Sequence, residues 1–381
     1  MELTLINTHY DVYIAFALFL LSFWLIFNIS KQVLVGTKLG TILYLYHSLF
    51  SVVYFGFVSN YGGDVGHYLI KGGVFDGRGF ALGTVGLVQL CRLLQDIGIS
   101  NLGIWILFNL MGAIGLIYVA GSLYSITSKK SFSRRIALVF LFLPSLSFWS
   151  AGVGKDAISF LAMALALYSA IYFSKRIHLM IIAILLMLFV RPHMAGMFII
   201  AIVLSSVLQK EIPLLTRLTI GGLGLGVAAI LIPFALNYAG VNEDASNLGE
   251  YVKGRAQANL HGGGAVDIAS MPLPLQMFTY LFRPLPIEAR SITQLLASLD
   301  NVFLLYLAYL GFKSRSVVRN IVLEGNRHFM WFYVLLAWLI LSMTTANLGI
   351  SVRQKWMFTP MLVYLLLSYI AAREKINSNE K

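Results

Sequence analysis

Long apolar runs recur along the whole chain, and most of its charged residues lie at the ends of these runs. Runs of spanning or near-spanning length occur at about 12–30, 39–59, 101–127, 136–153, 157–174, 178–190, 194–209, 218–238, 298–312, 329–349 and 356–372. A membrane helix needs about 20 mainly apolar residues. Only 12% of the residues are charged, against about 25% in soluble domains. The sequence therefore predicts an all-α polytopic membrane protein with about 11 transmembrane helices, in which residues 1–381 form a single integral membrane domain.

The distribution of basic residues predicts the orientation of these spans. The short loop SKKSFSRR at 128–135 holds four of them, and Lys and Arg in short loops mark the cytoplasmic side. With this loop inside, the N-terminus lies outside and the C-terminus lies in the cytoplasm. A single kinked span in place of 178–190 and 194–209 would invert everything upstream, so the basic residues favour two spans joined by a turn at Pro192.

Two segments predicted to lie outside are long enough to hold structure of their own. The first, 60–100, ends in an amphipathic stretch, Val85–Ile97, whose apolar side chains suit the membrane surface. The second, 239–297, is larger and contains a glycine run at 262–264 and the motif FRPLPIE. In the proposed orientation, both loops lie on the same side of the membrane.

Some classes of function are disfavoured by simple counts. Cys91 is the only cysteine, which excludes an intrachain disulfide and a cysteine-based zinc site. The net charge of +12 comes from basic residues scattered over many short loops rather than gathered on one face, so no nucleic-acid partner is expected. We predict no metal site and no cofactor, although a hydrated Mg²⁺ ion needs so few protein ligands that the sequence leaves it open.

The first candidate site follows the second span, in the motif GGDVGHY at 62–68. Asp64 beside His67 can act as a general base or acid, and we assign both to catalysis and Tyr68 to substrate binding. The simpler interpretation of Gly-Gly-Asp is a polar turn without chemistry. Its position beside an amphipathic stretch keeps the catalytic interpretation open.

The second candidate is the motif FWSAGVGKD at 148–156, which joins two spans at the outer surface. It is not a phosphate-binding P-loop, because Trp149 stands where the first glycine is required and Asp156 replaces the Ser or Thr. A tight turn remains, which presents Lys155 next to Asp156. This pair either caps the following helix or forms part of a substrate site, with Lys155 facing a phosphate and Asp156 orienting it.

A third set of polar residues comes from three separated segments on the predicted outer side, where few basic residues are expected. Its members are Arg191 and His193 in VRPH, Arg283, Glu288 and Arg290 in FRPLPIEAR, and Arg353 and Lys355 in VRQKW. Proline beside an arginine fixes the local backbone, and a guanidinium can bind phosphate oxygens through two parallel hydrogen bonds. Any one of these residues is explained by contact with lipid head groups. Together they favour a diphosphate site.

With these motifs the chain resembles bacterial membrane enzymes of surface-polysaccharide assembly, the Wzy- and EpsG-like repeat-unit polymerases, and more loosely the GT-C type glycosyltransferases. The resemblance implies an enzyme of the bacterial inner membrane that joins sugars carried on a polyprenyl diphosphate. It implies Asp64 as the base and Arg191, Arg283 and Arg353 as diphosphate ligands. GT-C enzymes usually carry their acid after the first span, whereas Asp64 follows the second, so the polymerase likeness is the better one.

The leading hypothesis is glycosyl transfer or polymerisation at the outer face of the cytoplasmic membrane. Its partners would be a polyprenyl-diphosphate-linked saccharide, membrane lipid and other polysaccharide assembly proteins. The alternatives are a flippase or transporter for lipid-linked sugars and a noncatalytic scaffold of an assembly complex. Because the middle of every predicted span lacks Asp, Glu, Lys and Arg, the sequence disfavours ion-coupled transport.

Overall fold

The regular secondary structure in the part of the chain that the structure describes is helical. In the computed structural model, the described residues are 4–6, 8–72, 79, 81–208, 215, 217–219, 221, 222, 224, 226, 266, 268, 271–318, 323–345 and 347–379. No β-strand occurs among these residues. The predicted all-α class is confirmed.

The α-helices of the described residues are numbered here in chain order. They are α1 (His9–Gln32), α2 (Thr37–Tyr61), α3 (Asp64–Gly72), α4 (Thr84–Asp96), α5 (Asn101–Ile126), α6 (Phe132–Leu141), α7 (Pro144–Ser150), α8 (Lys155–Ile171), α9 (Ile177–Val190), α10 (Pro192–Leu208), α11 (Leu273–Phe282), α12 (Ile292–Arg315), α13 (Arg327–Thr344), α14 (Leu348–Gln354) and α15 (Thr359–Asn379). Short 3-10 turns lie at Phe173–Lys175, Pro286–Glu288 and Lys355–Met357.

Several of these helices are suited to cross a bilayer. Six segments of the described chain are long and apolar enough, namely His9–Gln32, Thr37–Tyr61, Asn101–Ile126, Phe132–Ser150, Ile292–Arg315 and Arg327–Thr344. The segments Leu348–Met357 and Thr359–Ser378 add a seventh if this pair, bent by 63°, is one broken span. Two further apolar helices, α9 and α10, are shorter. The protein is a helical membrane protein, and the count of eleven spans stays a prediction, since the run at 218–238 lies largely outside the described residues.

Side chains that accept hydrogen bonds from first-turn amides define where two of the long helices begin. The hydroxyl of Ser291 accepts from the Gln294 amide at 3.2 Å before α12. The amide oxygen of Asn326 accepts from the Phe329 amide at 3.0 Å before α13. Because the first amides of a helix have no partner within the helix, such caps stabilise its start by about 1 kcal/mol.

The chain divides into two compact units. Unit 1 comprises Met1–Ser125, Ala137–Tyr168 and His178–Arg191, and unit 2 comprises Ile126–Ile136, Ser169–Ile177 and Pro192–Lys381. Each unit contains candidate membrane spans. The prediction of one integral membrane domain stays a prediction.

Unit 1 is held together by close helix approaches and by an aromatic core. A Cβ atom at Gly121 of α5 would lie 2.9 Å from Cβ of Val33, so this glycine lets α5 approach the end of α1 closely. The core lies where α2, α3, α4, α5, α8 and α9 meet. Its members include Tyr54, Tyr68, Leu87, Cys91, Trp105, Phe108, Ile158 and Val190. This core positions the candidate site of the unit.

Unit 2 is built on two helix pairs, α10 with α13 and α12 with α15. The rings of Phe198 and Tyr333 lie 4.3 Å apart at the first pair. At the second, a Cβ on Gly311 would lie 2.8 Å from Cβ of Leu366, so only a glycine permits this approach. The loop predicted at 239–297 lies outside the described residues up to 265, and its last part contains α11 and the turn Pro286–Glu288.

Candidate functional site

In unit 1, the motif predicted as a catalytic turn is the start of a helix. Gly62 and Gly63 have positive φ angles of 73° and 142°, which glycine adopts without strain, and Asp64 then opens α3. Asp64 and His67 are both exposed. Three residues apart on one helix, their side chains are neighbours on its surface. An acid and an imidazole are thus presented together to solvent or ligand.

Tyr68, predicted to bind substrate, lies instead in the core of unit 1. Its side chain is only 2% exposed and shares the apolar cluster with Leu87 and Cys91 of α4. Helix α4 is the amphipathic stretch predicted at Val85–Ile97, and it packs against α3. Tyr68 therefore anchors the helix that carries Asp64 and His67.

The FWSAGVGKD turn is fixed by two neighbouring helices. The Ser51 hydroxyl donates to the Ala151 carbonyl at 2.7 Å, and Nε1 of Trp105 donates to the Ser51 oxygen at 2.7 Å. A Cβ atom at Gly152 would overlap the ring of Tyr54, whereas one at Gly154 would meet nothing within 4 Å. Gly152 is thus required for packing, which is a different role from cradling a phosphate.

Lys155 connects the start of α8 to the start of α4. Its Nζ donates to the Thr84 hydroxyl at 2.6 Å. Gly83, which precedes Thr84, donates its amide hydrogen to the Phe189 carbonyl at the end of α9, at 2.7 Å. Lys155 is half-buried, so it is placed at a junction of three elements and keeps part of its surface accessible.

Asp156 and Arg191, predicted separately as substrate-binding residues, bind each other. Nη2 of Arg191 lies 2.7 Å from Oδ1 of Asp156, and Nε of Arg191 donates to the Ser159 hydroxyl at 3.2 Å. The two side chains are 11% and 9% exposed. Ser159 was not identified from the sequence. Its only signal there is its position three residues after Asp156 on a helix, which places both on one face.

In unit 2, the motif FRPLPIEAR forms a turn closed by an ion pair. Nε of Arg283 donates to Oε1 of Glu288 at 2.8 Å, and Nη2 of Arg283 donates to the same oxygen. The Leu285 amide donates to the other carboxylate oxygen at 2.7 Å. Hydrogen bonding from Arg283 holds the pKa of Glu288 below its usual value. Arg290 is exposed, two residues beyond the pair.

Lys355 lies fully buried rather than on the outer surface where the sequence placed it. Its Nζ donates to the Oδ1 atom of Asn301 on α12, and the adjacent Asp300 is within electrostatic range. The Nδ2 atom of Asn301 donates to the Pro284 carbonyl at 2.9 Å. Lys355, Asn301 and the arginine turn are therefore one connected network.

Asp300 corrects a statement made from the sequence. The span predicted at 298–312 placed Asp300 near its edge, but α12 begins at Ile292, so Asp300 is the ninth residue of a 24-residue helix and only 1% exposed. The interior of that span thus does contain an ionisable group. The prediction that no span has an ionisable group in its interior was wrong for α12, because this helix begins six residues before the predicted apolar run.

Two predicted site residues remain, Arg353 and His193. Arg353, half-buried, is in the last turn of α14, and His193, half-buried, is in the first turn of α10. Both belong to unit 2, as do Arg283 and Lys355, whereas Asp64, Lys155 and Arg191 belong to unit 1. A single outer cavity lined by residues of both units stays a prediction.

Comparison with known proteins does not extend this description. Among the described residues, no group of three or more His, Cys, Asp and Glu side chains is arranged to hold a metal ion. No protein-family model, no curated protein and no solved structure matches the chain. Function is therefore argued from the two residue groups themselves.

Proposed function

We propose that this protein is a membrane enzyme that transfers or polymerises sugars carried on a polyprenyl diphosphate. The reaction would take place at the outer face of the bacterial cytoplasmic membrane, in the synthesis of a cell-surface polysaccharide. An acceptor hydroxyl attacks the anomeric carbon of the lipid-linked donor, the new glycosidic bond forms, and the diphosphate leaves with the electron pair of the broken bond. The proton of the hydroxyl passes to a base.

One observation carries this proposal. An exposed acid and imidazole, Asp64 and His67, stand on a helix whose buried Tyr68 packs into the same core as Ile158 and Val190. Ile158 follows the Lys155–Asp156 pair closely, and Val190 immediately precedes Arg191. Because one core holds these segments, unit 1 supports a proton acceptor and basic side chains on a common rigid frame.

The chemistry requires few protein groups. A diphosphate is already a charged leaving group in water, so the enzyme has to stabilise its developing charge and remove one proton. Asp64 would accept the proton directly or with His67. Lys155, half-buried at the junction with Thr84, is a cation of unit 1 that would face the phosphate. Arg191 is neutralised by its ion pair with Asp156, so its part would be to fix the start of α8, which carries Lys155.

The proposal includes a topology and an architecture. It comprises about eleven spans, an outside N-terminus, a cytoplasmic C-terminus and an arrangement like that of repeat-unit polymerases or GT-C transferases. The exposed Asp64–His67 pair follows α2, and the basic loop 128–135 follows α5, a candidate span of 26 residues. If α5 crosses the membrane once, the candidate base and the basic loop lie on opposite faces, as the proposed topology requires.

Removal of the candidate base tests the proposal. Asp64→Asn keeps the size of the side chain but cannot accept the proton, so we expect polymer synthesis in cells to fall by about 10²–10⁴-fold. Polymer length and amount are measured by gel electrophoresis, at equal amounts of the protein in isolated membranes. Asp96→Asn is the matched control, because Asp96 is another exposed acid of unit 1, paired only at the surface with Arg92. Normal polymer from the Asp64→Asn variant would remove Asp64 from catalysis.

A second candidate function, transport of lipid-linked sugars, is favoured by one specific observation. Asp300 and Lys355 are buried in segments that are long and apolar enough to span a membrane. Lys355 lies next to the bend between Leu348–Met357 and Thr359–Ser378. Ionisable groups in membrane segments and broken helices are both typical of coupled transporters. Transport predicts that purified protein in vesicles moves a fluorescent lipid-linked saccharide under a proton gradient and that Asp300→Asn abolishes this movement. Movement that is absent in the wild type excludes this candidate.

A further inference from the structure

The Arg283 guanidinium is paired with a carboxylate of the protein itself, that of Glu288. Nε and Nη2 of Arg283 both donate to Oε1 of Glu288, and Nε is also 3.2 Å from Oε2, so the edge of the guanidinium that can bind two phosphate oxygens is taken by the carboxylate. The two side chains are 26% and 27% exposed, so water and small ligands reach the pair. The carboxylate of Glu288 thus occupies the position at Nε and Nη2 of Arg283 that an external oxyanion would take.

The backbone of this turn is held by the Leu285 amide, which donates to Oε2 of Glu288 at 2.7 Å, and also by two contacts outside the ion pair. The Pro284 carbonyl accepts from Nδ2 of Asn301 at 2.9 Å, and the Arg283 amide donates to the Thr279 carbonyl at 3.2 Å. Asn301 is fully buried and is held in turn by Lys355. Movement of Glu288 releases the Leu285 amide but leaves these two contacts, which keep the backbone of Arg283 in place.

Charge determines which ligand can displace Glu288. The turn carries Arg283 and Arg290 against the single carboxylate of Glu288, so it is left with two positive charges when Glu288 moves out. A diphosphate carries more negative charge than one carboxylate and offers oxygens with the same spacing to the guanidinium. A monovalent anion has no such advantage.

We propose that Arg283 binds a diphosphate. In the ligand-free protein the carboxylate of Glu288 occupies the Arg283 guanidinium, so Glu288 acts as an internal competitor of the ligand. This inference rests on the proposed function, since it names a residue of unit 2 that would bind the diphosphate of that substrate and the group that competes with it. Glu288, predicted from the sequence to bind substrate, here binds in place of substrate. Its removal must then strengthen ligand binding, which is the opposite of what loss of a substrate ligand would do.

The test is binding of inorganic diphosphate to the purified full-length protein in detergent, measured by calorimetry. An exposed ion pair contributes little, so Glu288→Gln should tighten binding by about twofold to fivefold. Arg283→Met should abolish binding, and it should do so also in combination with Glu288→Gln. Asp96→Asn is the matched control, because it removes the same charge from another exposed Arg–carboxylate pair and should leave the affinity unchanged. Should Glu288→Gln fail to fold, Glu288→Asp, whose carboxylate is one methylene further from the guanidinium, should tighten binding by a smaller factor.

The possible outcomes separate the two proposals. If diphosphate binds the wild type and Glu288→Gln binds it equally or more weakly, the competitor role of Glu288 is overturned and the proposed function stands. Equal tightening by Asp96→Asn also overturns it, because the effect is then one of net charge alone. If neither the wild type nor any variant binds diphosphate, the competitor role is overturned, whereas the Asp64→Asn assay of polymer synthesis decides the proposed function separately.

Discussion

Arg191 and Asp156 form a buried ion pair, with 2.7 Å between Nη2 and Oδ1, although 35 positions separate them in the sequence. Ser159 completes the contacts of the guanidinium with its hydroxyl. The pair joins the first turn of α8 to the residue that follows α9. A charge in this position is stable only while its partner is present.

Loss of one partner should therefore be costly. We expect Asp156→Ala to lower the free energy of unfolding by about 3–5 kcal/mol, because it leaves the Arg191 charge buried and uncompensated. The double variant Asp156→Ala/Arg191→Leu should recover much of that loss. Unfolding by denaturant in mixed micelles measures both. The exposed pair of Arg92 and Asp96 gives the control, since Asp96→Ala should cost less than about 1 kcal/mol. Equal losses at the two sites would contradict a buried pair.

The two glycines of the FWSAGVGKD turn should respond differently to alanine. Gly152→Ala places a methyl group into the ring of Tyr54 and should destabilise the protein by about 1–3 kcal/mol. Gly154→Ala meets open space and should leave stability unchanged. Thermal unfolding of the two purified variants distinguishes them. If Gly154→Ala were instead the more destabilising variant, the packing described for this turn would be incorrect.

The buried cluster in unit 2 should show strong coupling between its charges. Lys355→Met removes the ammonium group beside Asp300 and should cost about 3–5 kcal/mol, because a buried carboxylate loses its counter-charge. Adding Asp300→Asn should restore part of this stability. A double-mutant cycle of unfolding free energies gives the coupling. Additive losses would show that the two groups act independently.

The Arg283–Glu288 pair should contribute stability that depends on pH. Its hydrogen bond lowers the pKa of Glu288 from the ordinary 4.5, so the folded state binds this proton less readily than the unfolded state. The contribution is complete above the ordinary pKa and disappears as the pH falls through the lowered one. The wild type should then be more stable than Glu288→Gln at neutral pH by less than about 1 kcal/mol, since the pair is partly exposed. A difference that persisted at pH well below 4.5 would contradict this assignment.

Cysteine labelling should test both burial and orientation. Cys91 is fully buried in α4, and burial raises the pKa of its thiol to about 12, so it should not react with a maleimide in the folded protein. Cysteines introduced at two exposed positions then report topology without removal of Cys91. Lys129→Cys should react only with a membrane-permeant reagent and Arg290→Cys with an impermeant one. The reverse pattern would invert the proposed orientation.

Much of the fold could be predicted because its strongest signal is local. Membrane helices satisfy their backbone hydrogen bonds within one segment, so a run such as 101–127 leads directly to α5 (Asn101–Ile126). The first residues of the helices were harder to predict. Asp64 and Lys155 were placed in turns, yet each opens a helix, because a glycine directly precedes each of them and an acid lies in the first turn.

The candidate site was predictable in its residue types but not in their contacts. Arg353 and Lys355 stand two positions apart in one motif, and the sequence treats them alike. The structure leaves Arg353 half-buried and buries Lys355 completely, because positions two apart on a helical path point in different directions.

The sequence by itself determined that this chain is a helical membrane protein, since the bilayer imposes the length and polarity of every span on local sequence. Only the tertiary structure decided which side chains the charged residues contact. Asp156 meets Arg191, Lys155 meets Thr84, and Lys355 meets Asn301 across gaps of 35, 71 and 54 positions. Such contacts depend on how helices pack, and packing depends on close approaches, such as that of Gly121 to Val33, which no single segment encodes.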